Sequence, residues 1–125
     1  ETTTVHTGSQ SMKLTPNNAS NKLQTLGALG GFKVPVADGE TVTFNGYVYE
    51  DGSYNGARAR LMVKRNEALG ITADTMLDTA TASSDLAWEQ LSGTTDPVTA
   101  DGVLEFFFDC DGTAGNLFID SLSVA

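Results

Sequence analysis

Residues 41–65 read TVTFNGYVYEDGSYNGARARLMVKR, and the pattern of their side chains decides the fold class. Apolar and polar residues alternate on both sides of the segment DGSYNG at 51–56. Alternation with a period of two is typical of a β-strand with one buried face. A segment rich in Gly, Asn, Asp and Ser is typical of a turn. This stretch therefore predicts two strands separated by a turn.

The rest of the chain repeats this organisation, and helix signals are nearly absent. The segment 66–83 has apolar residues at roughly helical spacing but is rich in Thr and Asp, so we interpret it as a loop with at most one turn of helix. Strand-like runs lie at 2–6, 9–15, 20–27, 30–36, 41–50, 57–65, 86–94, 102–109 and 116–124. About eight or nine strands without intervening helices predict an all-β, two-sheet antiparallel sandwich.

The length of 125 residues predicts one domain, a single sandwich module over 1–125. The chain begins with Glu1 rather than Met, and strand-like residues follow at once. We therefore expect a segment or a processed part of a longer chain. The single cysteine, Cys110, excludes an intrachain disulfide, and we expect it to be a small buried side chain in a strand.

Alternation also assigns the two faces of three strands. One set of residues is apolar and predicts the core: Val42, Phe44, Val48, Ala59, Leu61, Val63, Leu104, Phe106, Phe108 and Cys110. The opposite set mixes aromatic and charged side chains, and we expect it to line one sheet surface and bind a ligand. Its members are Tyr47, Tyr49, Arg58, Arg60, Glu105, Phe107 and Asp109.

Composition excludes several classes of function. The formal net charge is -9, and a surface that binds nucleic acid or an anionic membrane needs the opposite sign. No apolar run approaches the roughly 18 residues of a membrane-spanning helix. With one histidine, His6, and one cysteine, clustered His/Cys metal ligation is excluded, and no local signature supports a catalytic triad. We therefore expect a protein that is not an enzyme.

Aromatic side chains on a sheet surface indicate a sugar as one ligand class. Apolar faces of sugar rings stack on aromatic rings, while the hydroxyls bond to polar side chains at the edge. Tyr47 and Tyr49 are also consistent with cross-strand pairing within the sheet, or with contact to a neighbouring domain, and both alternatives stay open. We expect Trp88 to belong to the core, because large rings dominate sandwich cores.

The segment DCDG at 109–112 carries two carboxylates followed by a glycine. Oxygen ligands of this kind suit calcium, which makes Asp111 a candidate ligand. A turn in which the aspartate bonds to the backbone accounts for the same residues. Asp120 is a second acidic residue in a strand-like run, and a buried unpaired carboxylate is costly. We expect a turn or bulge there that lets Asp120 accept backbone N–H bonds.

The order of these motifs resembles the jelly-roll carbohydrate-binding modules of the galactose-binding-domain-like type, as found on xylanases and cellulases. The resemblance rests on HTGSQSMKLTP, VADGETVTFNGYVYEDG, LAWEQLSGT, GVLEFFFD and GNLFIDSLSV in that order. The matching positions are Gly8, Ser11, Gly39, Val42, Phe44, Trp88, Ile119 and Asp120. Together these motifs cover nearly the whole chain.

This resemblance implies a non-catalytic, extracellular module that binds a glycan surface. It also implies one structural calcium, with Asp120 among its ligands. The same fold serves on virus particles as capsid-decorating or tail-associated domains, so a structural virion component that packs on neighbouring subunits is the alternative.

Overall fold

The computed structural model describes residues 7–8, 12–14, 24–25, 32–56, 59–81, 86–110 and 113–125, and within them the chain is all-β. The strands are β1 (Met12–Leu14), β2 (Gln24–Thr25), β3 (Phe32–Val36), β4 (Thr43–Glu50), β5 (Arg60–Val63), β6 (Thr75–Thr79), β7 (Trp88–Thr94), β8 (Gly102–Cys110) and β9 (Leu117–Val124). A 3-10 turn at Glu67–Leu69 is the helical element of this part of the chain. No helix in the described ranges is long and apolar enough to cross a membrane.

Two antiparallel sheets form the sandwich. The four-stranded sheet has the order β1-β9-β4-β7. In the five-stranded sheet β8 is central: β5 pairs with one edge, β3 and β2 follow each other along the other edge, and β6 completes the sheet beside β5. The predicted fold class, a two-sheet antiparallel sandwich, is therefore confirmed.

The predicted core is confirmed as well, because every residue assigned to it by alternation is buried. Phe44 of one sheet stacks on Phe106 of the other, with ring centroids 4.7 Å apart and an interplanar angle of 12°. Phe108 packs beside this pair, 6.3 Å from Phe44. Because the rings come from both sheets, they join the two layers and orient the outward-facing residues of β4 and β8.

One strand differs from the prediction. The interpretation of 66–83 as a loop with at most one helical turn is correct for Glu67–Leu69 but wrong for Thr75–Thr79, which pairs with β5 as β6. The register shifts between Leu61 and Met62, so a bulge interrupts the alternation by which a strand is recognised in sequence. The strand predicted at 2–6 lies outside the described residues.

Candidate functional site

The outer face of the four-stranded sheet carries an aromatic cluster. In β4 the even positions point into the core, so Tyr47 and Tyr49 point outward. Antiparallel pairing places Trp88 of β7 opposite Tyr49 on one side and Phe118 of β9 opposite it on the other. Side chains opposite each other on one face of a sheet are in contact distance. The register of three strands therefore assembles this cluster around Tyr49.

The three rings touch in a row across the sheet. The ring centroids of Tyr49 and Trp88 are 5.5 Å apart at an angle of 51°, and those of Tyr49 and Phe118 are 6.0 Å apart at 69°. Phe118 is buried, whereas Tyr49 and Trp88 are only partly buried. We call Tyr47, Tyr49 and Trp88 the aromatic face, because these rings keep accessible surface on the outside of the sheet.

Polar side chains continue this face along the same strands. Gln90 of β7 lies opposite Tyr47, and Ser92, two residues further along β7, lies opposite Asn45. The Ser92 hydroxyl donates a hydrogen bond of 2.5 Å to Asn45 Oδ1. Amide and hydroxyl groups next to partly exposed rings provide hydrogen-bond donors and acceptors beside an apolar surface.

The end of the aromatic face is fixed by Asp51. Its Oδ2 accepts a hydrogen bond of 2.9 Å from Asn116 Nδ2, and its Oδ1 accepts the backbone N–H and hydroxyl of Ser53 at 3.1 and 3.0 Å. Burial by itself raises the pKa of Asp51, but the bonds from Asn116 and Ser53 outweigh it and hold the pKa below its ordinary value of 3.8. This contact joins the ends of β4 and β9, next to Tyr49 and Phe118.

The outer face of the five-stranded sheet has different chemistry. Arg60 lies opposite Asp109, and Arg60 Nε donates a bond of 2.6 Å to Asp109 Oδ1. The Asp109 side chain is 1% exposed and that of Arg60 is 27% exposed. Phe107, the next outward residue of β8, is 4% exposed. The Arg60–Asp109 ion pair and the ring of Phe107 are therefore mostly buried and offer a ligand little accessible surface.

Basic residues gather at the other end of this face. Lys33 lies opposite Glu105 across β3 and β8, and Lys64 Nζ is 3.2 Å from Glu105 Oε2. Together with Arg65, Asn66 and Val103 they line a groove of ≈ 380 Å³, which we call the basic groove. Alternation predicted Glu105 as a ligand-binding residue but gave no such prediction for Lys33, Lys64 or Arg65. The outward position of Lys33, between Phe32 and Val34, was the available signal.

The expectation that the seven predicted residues line one sheet surface is wrong. Tyr47 and Tyr49 belong to the four-stranded sheet, whereas Arg60, Glu105, Phe107 and Asp109 belong to the five-stranded sheet, so the two groups face opposite sides of the sandwich. Alternation shows which side of its own strand a residue occupies, but not which sheet the strand joins. Arg58 lies outside the described residues, and a ligand-binding role for any of the seven stays a prediction.

The expected core position of Trp88 is also wrong, because its ring lies on the outer face against Tyr49. Val48 and Leu91, which lie on the same two strands as Tyr49 and Trp88, belong to the core instead. The outward position follows from the register, since Trp88 pairs with outward-facing Tyr49.

The expected backbone contacts of Asp120 are present. Its Oδ2 accepts the N–H of Thr7 at 3.1 Å, and its Oδ1 accepts the N–H of Ser121 at 2.6 Å. Ser121 has a φ of 55°, and the register against β4 shifts at this point, so the predicted irregularity in β9 is confirmed. Within the described ranges no three His, Cys, Asp or Glu side chains are grouped to hold a metal ion. Asp111 lies outside these ranges, and the calcium stays a prediction.

Comparison with solved structures gives matches over nearly the whole chain. The xylan-binding domain CBM22-1 of Paenibacillus barcinonensis Xyn10C matches with a TM-score of 0.65 and 17% identity, covering 99% of this chain and 76% of that one. The C-terminal family 22 carbohydrate-binding module of Clostridium thermocellum Xyn10B matches with a TM-score of 0.66 and 15% identity, covering 100% and 78%.

A third match is the CBM22-1–GH10 part of Clostridium thermocellum Xyn10B complexed with xylohexaose. Its TM-score is 0.66 at 12% identity, covering 97% of this chain and 22% of that chain. No protein-family description matches the sequence. No curated protein matches it either. At these identities the structural matches show the fold, which is that of the jelly-roll carbohydrate-binding modules, as the sequence resemblance predicted.

Proposed function

We propose that this chain is a non-catalytic carbohydrate-binding module and that its glycan binds on the aromatic face. The observation that carries the proposal is the contact between Tyr49 and Trp88, two partly exposed rings with centroids 5.5 Å apart on the outside of a sheet. Exposed rings are poorly placed to stabilise the core, whereas adjacent rings offer a sugar an apolar platform. The structural matches to xylan-binding modules support the same class of ligand.

The polar residues of this face complete the proposed site. Gln90 and Asn45 lie beside the rings on the same side of the sheet, where their amides can bond to sugar hydroxyls. The proposal places the module extracellularly, on an insoluble or surface-bound polysaccharide, in keeping with its structural matches to modules of xylanases. The comparisons give no support to the alternative of a virion component.

Substitution of the rings tests the proposal. We expect Trp88→Ala and Tyr49→Ala each to weaken binding to the preferred neutral polysaccharide about tenfold, because each removes one stacking surface. Affinity electrophoresis in gels containing xylan, mannan, mixed-linkage glucan or hydroxyethyl cellulose measures the effect. Met76→Ala is the matched control, since Met76 is 52% exposed on the other sheet.

Two outcomes contradict the proposal. If the chain binds none of these polysaccharides, the proposed function is wrong. If both ring variants keep full affinity, the glycan does not bind on the aromatic face. Far-UV circular dichroism of each variant shows whether it is folded, so that a loss of affinity is not a loss of structure.

A further inference from the structure

The basic groove lies on the opposite side of the sandwich from the aromatic face and concentrates positive charge in an acidic protein. The whole chain has 7 basic and 16 acidic residues. Three of these bases, Lys33, Lys64 and Arg65, line this one groove, with Glu105 as its carboxylate. The carboxylates of Glu67 and Asp74 contact Arg65. The excess positive charge is therefore that of Lys33 and Lys64 against Glu105. Such a local excess attracts an anionic group although the protein as a whole repels polyanions.

The cations of the groove remain available to a ligand. Lys33 is exposed and forms no ion pair within the described part of the chain. The Lys64 side chain is 55% exposed beside Glu105, and that of Arg65 is 59% exposed beside Glu67. Exposed pairs of this kind are weak, so an anionic ligand can compete for either cation.

The distance between the strands that carry Lys33 and Lys64 suits a ligand the size of one sugar ring. Lys33 and Lys64 flank Glu105, one on each side of β8, and lie two strand spacings apart, roughly 10 Å between backbones. The groove volume of ≈ 380 Å³ lies in the range of small-ligand sites. Val103, 47% exposed, provides an apolar patch in the lining.

We propose that the basic groove binds the carboxylate of an acidic sugar, a uronic acid carried on a glycan. The cations would hold the carboxylate, and the side chains of Glu105 and Asn66 would bond to the hydroxyls beside it. A carboxylate within the lining accepts hydrogen bonds from hydroxyls but repels a phosphate or sulfate that carries no donor. A uronic acid combines one negative charge with several hydroxyl donors. A glycan with few uronic acids is repelled less by this protein, whose net charge is -9, than a polymer with a negative charge on every sugar.

This site is separate from the proposed glycan site, so its test does not depend on the aromatic face. Nuclear magnetic resonance titration of the ¹⁵N-labelled chain uses methyl glucuronoside, the neutral methyl glucoside and inorganic sulfate as three probes. We expect the glucuronoside to shift the amides of Lys33, Lys64, Asn66 and Glu105, and to bind at least fivefold more tightly than either other probe. Moderate salt should weaken this binding.

Charge-neutral variants locate the effect. The double variant Lys33→Gln/Lys64→Gln should lose the preference for the glucuronoside, whereas Lys13→Gln, an exposed lysine on the other sheet, should keep it. Equal affinity for glucuronoside and glucoside overturns the proposal, as does a preference that survives in the double variant. Equal binding of sulfate overturns the assignment to a sugar. The groove is tested at the amides of Lys33, Lys64, Asn66 and Glu105, and the aromatic face is tested by affinity for neutral polysaccharides, so failure of one site is distinguishable from failure of the other.

Discussion

Replacement of Gly115 by alanine tests the packing between the ends of the two sheets. Gly115 has a φ of 77°, and a Cβ placed on it would come within 3.0 Å of backbone atoms of Tyr54 and Ser53. Backbone cannot rotate away as a flexible side chain can. Gly115→Ala should therefore combine two costs, the left-handed conformation and the overlap with the loop that follows β4.

Gly39 separates these two costs. Its φ of 84° is similar to that of Gly115, but a Cβ at Gly39 would meet no atom within 4 Å. Gly39→Ala thus carries the conformational cost alone, about 1 kcal/mol. The overlap at Gly115 adds about 1–3 kcal/mol, as overpacking usually does, so Gly115→Ala should lose about 2–4 kcal/mol in all.

Urea unfolding of the two variants and the parent chain measures the difference in the free energy of unfolding. Trp88 is the one tryptophan of the chain, so its fluorescence reports unfolding, with far-UV circular dichroism as the second probe. A loss in Gly115→Ala that equals that in Gly39→Ala within about 0.5 kcal/mol would refute the close approach of the 113–116 and 51–56 loops. It would also weaken the argument that Asp51 and Asn116 fix the end of the aromatic face.

Two further predictions concern carboxylates. The pKa of Asp51 is lowered in the folded chain, so its contribution to stability is complete above the unfolded value of 3.8 and is lost as the pH falls through the lower folded pKa. Melting curves from pH 7 to pH 2 should therefore show a smaller acid-induced loss in Asp51→Asn than in the parent chain, and an equal loss contradicts the assignment. If Asp120 is a calcium ligand, a chelator should lower the melting temperature of the parent chain but not that of Asp120→Asn. An unchanged melting temperature in the parent chain excludes a tightly held ion.

The sequence by itself determined the fold class, and in three strands it determined which side chains belong to the core and which face outward; it placed Trp88 wrongly. Alternation in 41–50, 57–65 and 102–109 is a local property, because successive residues of any strand face opposite sides whatever the strand pairs with. The same local reasoning located the irregularity at Asp120. It failed at Thr75–Thr79, where a bulge disturbs the period of two.

Only the tertiary structure decided which outward faces share a surface. Strand pairing joins residues far apart in sequence, so it places Trp88 and Phe118 beside Tyr49. It also places Arg60 and Asp109 in the other sheet, on the opposite side of the sandwich. Burial was decided at the same level, because Phe107 and Asp109 alternate as surface residues but are covered in the fold. The basic groove is a product of the same pairing, since β3, β8 and the residues after β5 come together only in the assembled sheet.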